Sequence, residues 1–86
     1  MASFSVIYNK NGTNISKKDY TTDEVIDYQT FDLESGISSV TVICYNADNQ
    51  ELSSETITQE NPNIVICFDN GGQFLGSKLL HFNWQE

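Results

Sequence analysis

The chain has 86 residues, room for one domain spanning 1–86 with one modest core, because a chain this short buries only roughly 60–65% of the surface it exposes unfolded. Twelve carboxylates face four lysines and no arginine, for a formal net charge of −8. That size excludes a multidomain enzyme, and that balance argues against direct nucleic-acid binding, which depends on Lys and Arg displacing counterions and on Arg forks reading bases.

The apolar residues are those of strands: eight Ile, five Val, five Phe and four Tyr, against two Ala and five Leu. β-Branched and aromatic side chains fit a pleated, half-buried surface, whereas Ala and Leu favour helices. The expected fold is all-β, a small antiparallel sandwich or meander of about six strands built from three hairpins. No apolar run approaches the ~20 residues a membrane span requires. The first residues lack the basic start and long apolar stretch of a signal peptide, so the expected setting is the cytoplasm, away from the membrane.

Taken in order, residues 3–8 alternate Phe4, Val6 and Tyr8 on one side, and Asn11-Gly12 supplies the pair that favours a type I′ hairpin turn. Residues 19–24 are polar, and are read as a loop or one short helical turn. Residues 25–33 read as an irregular strand, closed by Glu34-Ser35-Gly36. The strongest strand is 37–45, with Val40, Val42 and Cys44 on one face and Ile43 and Tyr45 on the other, so that both faces are at least partly covered. Asn46-Ala47-Asp48-Asn49 has turn chemistry, and the more polar residues 50–58 return as an edge or solvent-facing strand. After Pro62 comes a strand at 64–68, a turn at Asp69-Asn70-Gly71-Gly72, and a last strand at 73–82.

The second and third hairpins match without gaps: Val42-Ile43-Cys44-Tyr45-Asn46 lies over Val65-Ile66-Cys67-Phe68-Asp69, which suggests internal duplication. Glu34-Ser35-Gly36-Ile37-Ser38-Ser39-Val40 resembles the end of a Greek-key motif of the βγ-crystallin family, and Phe74-Leu75-Gly76 resembles that family's aromatic-x-glycine corner. The likeness covers under a third of the chain and implies a β-sandwich with calcium bound in its loops. It departs from the family where the calcium loop opens with two Asn/Asp residues, since Glu34 and Ser35 occupy those places.

No catalytic constellation is present. His81 is the one histidine, set among Leu79, Leu80 and Phe82, and a serine nucleophile has neither a base nor a Gly-x-Ser-x-Gly elbow. Cys44, Cys67 and His81 lack paired zinc-ligand spacings, no loop is built to cradle a phosphate, and no cofactor or metal is expected. Two cysteines inside apolar runs, Cys44 and Cys67, read as small buried hydrophobes, with a single disulfide between them as the alternative. Asp23, Glu24 and Asp27, near Asp32 and Glu34, are the one acid cluster with any claim on calcium, without EF-hand spacing.

Charge divides the chain sharply. Residues 1–18 carry Lys10, Lys17 and Lys18 and no acid, residues 19–60 carry ten acids and no base, and the remainder holds Asp69, Lys78 and Glu86. The leading expectation is therefore a small acidic, non-enzymatic binding or inhibitor protein of the phage or mobile-element type. It would dock one negative face on a basic protein surface, competing there with nucleic acid, as a monomer or homodimer. The expected contact residues are Asp19, Asp23, Glu24, Asp27, Asp32 and Glu34 for charge, with Tyr20 and Tyr28 as aromatic anchors. The alternatives are a glycan- or calcium-binding sandwich using Trp84, tyrosines and Asn/Asp turns, and a structural homodimer paired through strand edges.

Overall fold

The computed structural model describes residues 2–21, 28–69 and 74–85, with side chains placed for all of them except 67–69 and 74–76. Among these residues there are seven strands and no helix: β1 (Ser3–Lys10), β2 (Thr13–Thr21), β3 (Tyr28–Asp32), β4 (Ser39–Tyr45), β5 (Glu51–Ile57), β6 (Asn63–Asp69) and β7 (Phe74–Asn83). The three expected hairpins are β1–β2, β4–β5 and β6–β7. β3 is the strand beyond the expected six. Residues 19–21 belong to β2, so no helical turn starts at Asp19, and the rest of that expected turn lies outside the described residues.

Local chemistry accounts for the turns. Asn11 and Gly12 take φ of 53° and 84°, the paired positive values of a type I′ turn, whose twist matches the strands it joins. A Cβ on Gly12 would meet nothing within 4 Å, so substitution there tests the backbone alone. Gly12→Ala should cost about 1 kcal/mol through left-handed strain, read as a lowered melting temperature; an unchanged melt would show that the turn does not hold this geometry in solution. In the β4–β5 turn, Asn46 Oδ1 accepts from the amides of Asp48 and Gln50, both at 2.9 Å, and Asn49 takes φ of 62°.

The strands form two sheets, in the orders β2-β1-β4-β5 and β3-β7-β6. The first is antiparallel throughout. In the second, β3 runs parallel to β7, with Phe31 opposite Phe82, so the sandwich is mixed and its strand order is not that of a meander. Alternation sends Phe4 and Val6 of β1 and Val40, Val42 and Cys44 of β4 inward, to meet Ile64, Ile66, Leu80 and Phe82 from the other sheet in one buried cluster. Burial of these side chains is the main stabilising term. The opposite face of β4 is half-covered at Ile43 and Tyr45, as the sequence reading anticipated, and β5 is an exposed edge up to the buried Ile57.

An aromatic chain closes one side of the sandwich. Phe4 stacks on Tyr20 at 5.1 Å, Tyr20 meets Phe31 edge-on at 5.7 Å, Phe31 stacks on Phe82 at 5.0 Å, and Phe82 meets Trp84 edge-on at 6.5 Å. Trp84 Nε1 donates to the Ile37 carbonyl at 2.9 Å. The β3–β4 connection is pinned at its far end as well, where the Ser38 amide donates to the Asn9 carbonyl at 2.8 Å. Asn9 is buried, and its amide donates to Ser39 Oγ and Thr41 Oγ1 at 3.1 and 3.2 Å, as a buried polar group must.

The duplication suggested by the sequence is not carried by the fold. Its gapless match lays the buried Val42 over Val65, which is 61% exposed, and the half-covered Ile43 over the buried Ile66. Matched positions face opposite ways, which in a period-two strand is the signature of different environments.

Candidate functional site

Strands β3, β7 and β6 place Tyr28, Leu79 and Val65 side by side on the outer face of the three-stranded sheet. At ordinary strand spacing this row is about 10 Å wide. Tyr28 and Val65 are 52% and 61% exposed. Val65 is outward because its neighbours Ile64 and Ile66 take the core side, and Tyr28 because Phe31, three residues on, stacks on Phe82.

The adjoining rows are polar and tied together. Thr30, His81 and Asn63 form the next row, and Asp32 and Asn83 the one after it. Asn83 Nδ2 donates to Asp32 Oδ1 at 2.9 Å, which turns Asn83 Oδ1 toward His81 Nε2, also at 2.9 Å. His81 Nδ1 lies 2.6 Å from Asn63 Oδ1. His81 and Asn83 together thereby tie β7 to β6 and β3, so the apolar row sits on a braced platform.

The expected contact residues divide across the molecule. Tyr28 and Asp32 share this platform, and Glu34 is exposed just beyond it. Asp19 points out from the other sheet, at 73% side-chain exposure, where Lys17 Nζ approaches it to 3.9 Å. Tyr20 is half-buried between Phe4 and Phe31, a part of the core rather than an exposed anchor. Asp23, Glu24 and Asp27 lie outside the described residues. Glu51 and Glu55 sit on β5, the edge opposite β2 in the four-stranded sheet, so the acidic segment does not fold into one face. Leu79 and Val65, which share a row with Tyr28, were not among the expected contact residues. The signal available was the alternation of Ile64, Val65 and Ile66, hidden because all three are apolar.

The described residues include two recesses of note. One, of about 420 Å³, lies on the outer face of the four-stranded sheet above Ser3 and Ser5. The other, of about 220 Å³, lies between Tyr8, Ser16, Leu33 and the carboxylates of Asp32 and Glu34. Burial, and then the neighbouring Tyr20 phenol, push the Tyr8 phenol up to about 12. The unfolded chain releases this proton near pH 10. Folding stability from Tyr8 is therefore whole below pH 10 and is lost as pH rises toward 12. Denaturant melts across that window should show the decline, and Tyr8→Phe should flatten it; an equal decline in the variant would assign it elsewhere.

Among the described residues no group of three or more His, Cys, Asp or Glu side chains is placed to hold a metal ion. Nor is any helix there long and apolar enough to cross a membrane. Trp84 is half-buried, its ring edge-on to Phe82. Cys44 is buried in the core. No protein-family model, curated protein sequence or solved structure matches the chain, so the functional reading rests on the geometry of its surface.

Proposed function

We propose that this chain is a non-enzymatic binding protein that docks the outer face of its three-stranded sheet on a basic surface of a partner protein. The observation that carries the reading is an exposed apolar row on a face without lysine among the described residues, whereas the four-stranded sheet carries lysines and acids together. The row Tyr28–Leu79–Val65 lies exposed on a face that bears Asp32 and, among the described residues, no lysine, since Lys78 alternates to the core side with Leu80. Lys10, Lys17 and Lys18 are all on the four-stranded sheet. The apolar row would be desolvated at the centre of the contact while Asp32 pairs with Lys or Arg at its rim, and the remaining negative charge would speed encounter.

The test is a partner captured from an extract of the source organism, identified, and remeasured as a purified pair. Its Kd should rise with ionic strength, and Asp32→Lys should weaken it about tenfold or more. An affinity indifferent to both salt and the Asp32 reversal would overturn the reading. So would light scattering that shows the platform closed by a second copy of the chain.

A further inference from the structure

We propose that the recess on the four-stranded sheet is a second binding site, for a neutral saccharide unit. Its shape follows from the sequence of β1. Ser3 and Ser5 are short side chains on a central strand, flanked on β2 by Thr21 and Asp19 and on β4 by Tyr45 and Ile43. Short residues between taller neighbours leave a trough. Its volume, about 420 Å³, falls within the roughly 300–1,000 Å³ of small-molecule sites and suits one or two sugar rings.

The walls set the ligand's chemistry. Ser5 is 2% exposed and its hydroxyl donates to Asp19 Oδ1, fixing that carboxylate over the trough. Lys17 Nζ, 3.9 Å from the same oxygen, balances its charge, so the site attracts neither an anion nor a cation as such. The far rim is Asn49, held by its own amide donating to the Asn46 carbonyl at 3.0 Å in the turn that Asn46 Oδ1 organises. Tyr45, opposite Ser3 on β4, also lines the recess. A carboxylate, an amide, an ammonium and hydroxyls around an aromatic ring match a ligand with many hydroxyls and apolar C–H faces. A phosphate is disfavoured by Asp19 and by the net charge of −8, and a purely apolar ligand would strand the polar groups of the wall.

Labelled protein would be titrated, by amide NMR, with glucose, galactose, mannose, N-acetylglucosamine and their disaccharides. Saturable shifts at Ser3, Ser5, Asp19, Tyr45 and Asn49 are expected. Asp19→Ala and Ser3→Leu, the second of which fills the trough, should each weaken binding about tenfold or more while the amide spectrum stays dispersed. Val65→Lys, on the opposite sheet, should bind sugar as the unaltered protein does, which separates this site from the docking platform. Absence of a saturable shift with every sugar, shifts confined to other strands, binding by both trough variants as tight as that of the unaltered protein, or binding of glycine or glutamate in place of sugars would each overturn the proposal.

Discussion

Phe82→Ala should destabilise the fold by about 3–5 kcal/mol. Phe82 is 1% exposed on β7, the central strand of its sheet, and sits between the stacked ring of Phe31 and the edge of Trp84. Truncation removes the transfer energy of the ring, leaves a cavity, and breaks two aromatic contacts worth about 0.5–1.5 kcal/mol each beyond their area. A domain of this length has a total stability of about 4–13 kcal/mol at the usual 0.05–0.15 per residue. The loss is therefore about a quarter of the whole or more, and the variant should melt at a clearly lower temperature than the unaltered chain. Urea melts measure it; a change below about 1 kcal/mol would mean that the aromatic chain does not join the sheets as described.

Val65→Lys should have the opposite profile, with folding nearly unchanged and partner binding reduced about 100-fold or more. Val65 is 61% exposed on β6, an edge strand, where lysine is a common native choice, so the cost to folding should stay within about 0.5 kcal/mol. At the interface the same change replaces a central apolar contact with a cation that faces a basic partner. Desolvating an unpaired charge and bringing like charges together both weaken the complex. If Val65→Lys binds the identified partner as tightly as the unaltered chain, the platform is not the docking surface, whatever the salt dependence.

Local patterns were readable in the sequence and long-range ones were not. Asn11-Gly12 named its turn, because the required positive φ values are a property of two residues. The alternation Val40-x-Val42-x-Cys44 gave a correct inner face, because its period is local. Nothing in residues 28–32 announces that they run parallel to a strand some fifty residues later; that pairing depends on Phe31 finding Phe82. Tyr28 and Asp32 lie on one exposed face, but Tyr20, expected to be exposed, was drawn inward by Phe4 and Phe31. The acidic segment looked like one surface because its members are neighbours in sequence. Folding carried Asp19 and Glu55 to opposite edges of the four-stranded sheet.

The parallel pairing of β3 with β7 also sets the order in which the molecule can assemble. The first two hairpins are local and can close as soon as their own residues are available. The three-stranded sheet has no partner for β3 until β7 arrives, because β7 is the strand that both β3 and β6 flank. Closing that gap costs loop entropy before any contact repays it, and places folding among the slower, non-local topologies, in milliseconds to seconds. Until β7 emerges during synthesis, Phe31 of β3 has Tyr20 of β2 but not Phe82 to pack against. Its vulnerability to aggregation is therefore greatest in the nascent chain and ends when Phe82 slides against it.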